Sequence, residues 1–150
     1  MTELKKPNAS WIALLIPYII LVLIGLAMAV APEFFLNRNF RPFTALPWSG
    51  FSASSPKVAL FISLALRLLG VQFAILGSTF VVIDLTAFRS GKRWSWYVSL
   101  LGNTVGWGSG IIHDAMIGML PIVVIGAVLL ATVYVCLGLS AKSLLGRASA

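Results

Sequence analysis

Four long stretches of the chain run almost without charge: Trp11 to Val30, Val58 to Ile83, Trp94 to about Asp114, and Ala115 to Leu139. An α-helix needs about 20 predominantly apolar residues to cross about 30 Å of hydrocarbon, and each stretch reaches that length. The pattern predicts an all-α integral membrane protein, a single domain over residues 1–150. Its spans fall at 11–30, 58–83, 94–114 and 115–139, and the short connections after the second and third force antiparallel neighbours. The expected architecture is an up-down four-helix bundle. The third span is diluted by Gly102, Asn103, Gly106, Gly108, Ser109 and Gly110, yet glycine is common in membrane helices. Its start is marked by Arg89, Lys92 and Arg93 followed by Trp94, Trp96 and Tyr97, a basic anchor beside an interfacial aromatic belt.

Polar punctuation between the spans sets their orientation. Placing both termini in the cytoplasm puts Lys5, Lys6, Arg89, Lys92, Arg93, Lys142 and Arg147 inside and only Arg38, Arg41 and Lys57 outside, as the positive-inside rule requires. Lys5 and Lys6 before an apolar run ending Ala27-Met28-Ala29 resemble a secretory signal. The 20 uncharged residues from Trp11 to Val30 exceed the roughly 7 to 15 of a signal core, so a retained anchor is expected. The external connection 31–57 carries Phe34, Phe35, Phe40, Phe43, Trp48 and Phe51 with Pro32, Pro42, Pro47 and Pro56. Prolines break a continuous helix, and aromatics suit the headgroup region, so this segment reads as an interfacial anchor, with a lid over the outer mouth as the alternative.

Within the spans, small and polar residues fall on common faces. Ser63, Arg67, Gly70, Ala74 and Gly77 share one side of the second span, and Ser99, Asn103, Gly106, Gly110 and His113 one side of the third, with Gly102, Gly106 and Gly110 in an overlapping Gly-x-x-x-Gly ladder. Small residues let helices approach closely in lipid, so these two faces are expected to meet. Arg67 and Asn103 would then differ in depth by about 4 Å, at about 1.5 Å of rise per residue from opposite ends of a core of about 30 Å.

Arg67 is the strongest functional lead, because a charge near the bilayer centre persists only when partnered or hydrated. Guanidinium holds carboxylate or phosphate through two parallel hydrogen bonds, so Arg67 reads either as an anion or headgroup clamp or as a helix-to-helix staple. Asn103, His113 and Asp114 are its candidate ligand-binding partners. A direct Arg67–Asp114 pair would require snorkelling, helix tilt or a water bridge. His113 and Asp114 read primarily as a polar turn, since no further acid or histidine follows them through the membrane as a proton relay would need. Asp84 and Arg89 are expected to form an ion pair at the inner interface.

Composition narrows the chemistry. With 59% hydrophobic and 10% charged residues the chain is not a soluble globule. The net charge of +7 is scattered in short clusters between spans, which points to anionic lipid headgroups and away from nucleic acid. Four acids and one histidine do not supply a multi-carboxylate or multi-histidine metal site within one chain, so no metal site is predicted. Bis-histidine haem is excluded likewise, and the cofactor stays unknown, with a single axial haem ligand from His113 left open. The lone Cys136 can form neither an intrachain disulfide nor a Cys-x-x-Cys pair. Ser109 and His113 share a helix face but have only Asp114 to orient them, so no catalytic residue is assigned.

Leu66-Arg67-Leu68-Leu69-Gly70 continuing to Leu76-Gly77, and the turn Arg89-Ser90-Gly91-Lys92-Arg93-Trp94-Ser95-Trp96-Tyr97, resemble the DoxX-like group of small four-helix bacterial membrane proteins over about residues 58–139. The resemblance implies a multi-pass protein of the bacterial inner membrane, with some members linked to membrane oxidoreductase systems. The functional expectation is a non-catalytic accessory or scaffolding subunit that packs against lipids and partner helices or self-associates. The alternative is a small transporter or lipid and quinone carrier built around Arg67.

Overall fold

A computed structural model describes residues 10–146, and among them every regular element is helical. Lys5, Lys6 and Arg147, which enter the charge argument for orientation, lie outside the described residues. The long helices are α1 (Ser10–Val30), α4 (Pro56–Ile83), α5 (Arg93–Met116) and α6 (Leu120–Leu145), with α2 (Pro32–Thr44) and α3 (Trp48–Ser54) between the first two. α4 runs on into a π-helical turn, Asp84–Phe88, in which the Arg89 amide reaches back to the Asp84 carbonyl at 3.0 Å.

Three segments, Ser10–Val30, Pro56–Phe88 and Leu120–Leu145, are long and apolar enough to cross a membrane. Their surfaces agree with that. Leu23, Leu60, Phe61, Leu68 and Leu139 are each at least 60% exposed, an arrangement that water would penalise and hydrocarbon accepts. The chain is a membrane protein. α5 has the length of a span, with 24 residues, but its glycines and polar side chains leave it less apolar than the other three.

Prolines and glycines account for most of the boundaries. Pro32, Pro56 and Pro121 stand in the first turns of α2, α4 and α6, where a missing N–H costs nothing. Pro47 precedes α3 in an extended conformation. α5 runs two residues past Asp114, and the chain reverses through Ile117–Met119 with Gly118 at φ +78°, so the last long helix starts at Leu120 and not at Ala115 as the hydropathy suggests. The connection 31–57 contains two short helices, α2 and α3, separated at residues 45–47.

The four long helices form two pairs. α1 packs along α4, and α5 packs along α6, where Gly126 accommodates Ile111. The pairs join through a core of Leu14, Tyr18, Phe80, Phe88, Val133, Cys136, Leu137 and Leu144, all near the end that carries the π-helical turn. A second, smaller core of Leu36, Trp48 and Ala59, flanked by Phe40, Phe51 and Ile62, fastens α2 and α3 onto the first turns of α4.

The close contact is between α1 and α4. A Cβ added at Gly70 would lie 2.6 Å from both the Gly25 carbonyl and the Ala29 amide, and one added at Gly77 would lie 2.7 Å from Val22. The small-residue face of α4 is therefore occupied by α1, not by α5 as the shared spacing suggests. Gly25, which pairs with Gly70 and Ala74, is the residue that lets α1 take this face.

Candidate functional site

Arg67 does not meet Asn103. Its Nη1 donates to the Ala29 carbonyl at 2.9 Å, one of the last four carbonyls of α1, which have no partner within their own helix. A guanidinium at a helix C-terminus also complements the negative end of the helix dipole, so Arg67 pins α4 to the end of α1. The side chain is exposed on the protein surface and is not enclosed in the bundle.

The same side chain lines a cavity of about 400 Å³ that opens outward beneath α2 and α3. Across it stands Glu33, in the first turn of α2, with Trp48, Ser52 and Ser63 completing the polar wall and Leu60 and Leu64 the apolar one. Both Glu33 oxygens are engaged: Oε1 accepts from the Ser63 hydroxyl at 2.7 Å and Oε2 from the Trp48 indole. Trp48 is itself held by Phe40 and Phe51, with ring centroids 5.0 and 5.7 Å away. Glu33 is the functional residue that sequence reasoning missed. Its signal was present, since Pro32-Glu33 directly follows the first span and Glu33 is the one acid in a segment rich in aromatics. Ser63, expected as a packing residue, is instead one of its two anchors.

A second polar group lies in the core. Ser95, Ser99 and Asn103 recur every fourth residue and form the buried stripe of α5. Asn103 Nδ2 donates to the Tyr18 hydroxyl at 3.0 Å and to the Ser99 carbonyl at 2.7 Å, and Tyr18 stacks on Phe80 at 5.1 Å between ring centroids. Phe80 in turn presses on Gly102, where a Cβ would collide with its Cζ. Asn103, Gly102, Tyr18 and Phe80 thus join α5 to both α1 and α4. Replacing Asn103 with leucine is expected to cost about 2 kcal/mol and Tyr18→Phe about half of that, because the first change removes both hydrogen bonds and the second removes one. Unfolding titrations in mild detergent would measure the difference; equal costs would show that the Tyr18 bond carries the whole effect.

Asp84 lies at the edge of this group and is 1% exposed. Neither carboxylate oxygen has a hydrogen-bond partner, although the side chain is close enough to Tyr18 and Cys136 to interact electrostatically with both. The expected Asp84–Arg89 ion pair is absent: among the described residues the one ion pair joins His113 and Asp114. Asp84 continues the buried face of α4, seven residues after Gly77, while Arg89, beyond the π-helical turn, stacks over the Trp11 ring, 5.1 Å from its centroid.

The remaining expected positions divide. Gly106 and Gly110 have nothing within 4 Å of an added Cβ. The outer half of the face that carries Asn103 is therefore open at these two positions. His113 and Asp114 sit at its outer tip, far from Arg67, with Nδ1 and Oδ1 3.3 Å apart. Of the basic-aromatic turn, Trp94 and Tyr97 are exposed as an interfacial belt requires, along with Lys92 and Arg93. Trp96 turns inward and donates to the Leu137 carbonyl of α6 at 2.9 Å.

No family model, curated protein or solved structure matches the chain.

Proposed function

We propose that this chain is a four-span, non-catalytic protein of the bacterial inner membrane, with both termini cytoplasmic, that acts as an accessory subunit by packing against partner helices. On this reading α5 is the third of four spans and the long helices form an up-down bundle. The DoxX-like resemblance contributes only its topology and location.

The observation that carries the proposal is the open outer half of α5. Ser95, Ser99, Gly102, Asn103, Gly106, Gly110 and His113 all fall within about one third of the helix circumference at 3.6 residues per turn. Ser95, Ser99 and Asn103 are buried and Gly102 meets Phe80, whereas a Cβ at Gly106 or Gly110 meets nothing within 4 Å. Two glycines about one turn apart whose Cβ positions are open permit backbone-to-backbone approach, which suits a second helix better than lipid chains. The wedge between the two helix pairs is the place for that helix.

A photo-crosslinking amino acid at Gly106 or Gly110, activated in intact membranes, is expected to give a discrete protein adduct of this chain with a partner subunit or a second copy. The same probe at Leu101, half a turn from Gly110 and 68% exposed, is expected to give lipid adducts only. Lipid adducts alone at all three positions would overturn the proposal. A carrier reading is favoured by a different feature, the charged cavity beside Arg67.

A further inference from the structure

We propose that the cavity beneath α2 and α3 binds a phospholipid headgroup carrying both a primary ammonium and a phosphate, the chemistry of phosphatidylethanolamine. This inference rests on the reading of the chain as a membrane protein and is independent of what docks on α5.

Two opposite charges line this one cavity without neutralising each other. Glu33 and Arg67 both face it, yet they form no ion pair. Each is held in place by groups that leave half or more of its hydrogen-bonding capacity free. A carboxylate offers about four lone-pair positions, of which Ser63 and Trp48 take two, so about two remain for a cation with N–H donors. Guanidinium carries five N–H donors and Ala29 takes one, so about four remain for phosphate oxygens. A carboxylate and a guanidinium kept apart across about 400 Å³ match a ligand whose own positive and negative groups are separated by a short linker.

The apolar wall indicates that the ligand is a lipid. Leu60, Leu64 and Leu68 form an exposed stripe, 61%, 54% and 62% accessible, that leads from the cavity along α4 toward the bilayer centre. That is the direction an acyl chain takes below a headgroup. Ser63 and Arg67 stand about 10 and 16 Å along α4 from its start, at about 1.5 Å per residue, within reach of the upper part of one leaflet when Arg67 snorkels upward. A quaternary ammonium would need an aromatic face. Phe40 and Phe51 pack against Trp48, so the carboxylate is left as the cation's partner and a primary amine is preferred.

Native mass spectrometry of the delipidated full-length protein, titrated with phosphatidylethanolamine, phosphatidylcholine and phosphatidylglycerol of matched acyl chains, tests this. Wild type is expected to retain the ethanolamine lipid about tenfold more tightly than either of the others, the effect of one additional charge-assisted hydrogen bond. Glu33→Gln is expected to erase the preference over phosphatidylglycerol, and Arg67→Lys to weaken retention of all three lipids several-fold. Displacement requiring the diacyl lipid fixes the source as the bilayer, whereas equal competition by soluble glycerophosphoethanolamine would overturn the membrane source. Equal retention of the three lipids by wild type, a comparison that needs no variant to fold, would overturn the site itself. None of these readouts depends on crosslinking at Gly106 or Gly110, so the two proposals fail separately.

Discussion

Gly70→Leu is expected to separate α1 from α4 and to destabilise the protein by about 3 kcal/mol or more, a large share of the roughly 5 to 15 kcal/mol that holds a typical domain folded. The reason is the absence of slack. A single added Cβ at this position already lies 2.6 Å from backbone atoms of Gly25 and Ala29, and at 2.8 Å from Met28 Cβ. Backbone cannot rotate aside as a flexible side chain can, so a leucine is accommodated only by moving one helix off the other. That motion would also pull Arg67 from the Ala29 carbonyl and open the wall of the charged cavity. Gly110→Leu is the matched control, because it adds the same side chain where no neighbour stands within 4 Å and should leave unfolding unchanged. Denaturant titration in detergent, followed by circular dichroism, compares the two. A Gly70→Leu protein as stable as wild type would show that α1 and α4 do not meet through their glycines.

Asp84→Leu is expected to stabilise the fold by about 2 kcal/mol. The carboxylate is enclosed, and both of its oxygens lack a donor. Burying such a group without compensation costs free energy, and an apolar side chain of similar volume removes that cost. Asp84→Asn keeps a polar group in the same place and should gain less. The same detergent titration decides the sign. A loss of stability in Asp84→Leu would reveal a partner for the carboxylate. A gain would mean that the residue is retained against stability, as expected of an ionisable group inside a span that is kept for a role other than folding. Its location fits such a role, since a π-helical turn begins at Asp84, a local departure from the α-helix of the kind found at functional sites.

How much of this was legible in the sequence depended on the range of the interaction concerned. Helical class and the approximate spans follow from hydropathy, because the cost of exposing backbone polar groups to hydrocarbon acts on every residue of a span. The exposed Trp94 and Tyr97 follow from the same local rule. The α5–α6 boundary did not, since Ala115 and Met116 are apolar and hydropathy runs through the turn. Pro121 and Gly118 were the better markers there. Helix-to-helix pairing was beyond spacing rules. The small face of α4 was recognisable from Gly70, Ala74 and Gly77, but nothing local in it distinguishes α5 from α1 as the partner. The choice turned on Gly25, the one glycine of α1.

The candidate site shows the same division. Arg67 could be singled out because an isolated charge in an apolar run is costly wherever the run is placed. Depth counted from the helix ends misplaced its partners: Asn103 bonds Tyr18 and its neighbour Gly102 meets Phe80, about 20 Å from Arg67 along α4 at about 1.5 Å per residue. Glu33, which lines the same cavity as Arg67, comes from a segment whose aromatics and prolines indicated an interfacial anchor. Two short helices instead fold back on α4 through Phe40, Trp48 and Phe51. By itself the sequence determined that this chain enters a membrane, that it is helical and where its apolar lengths lie, since each of these follows from transfer energies summed along the chain. Only the tertiary structure decided which glycines are filled and which stay open, that Asp84 is enclosed without a partner, and that Glu33 and Arg67 share one cavity. Those outcomes depend on close packing between residues distant in sequence, where a single Cβ or one turn of helix changes which surfaces can meet.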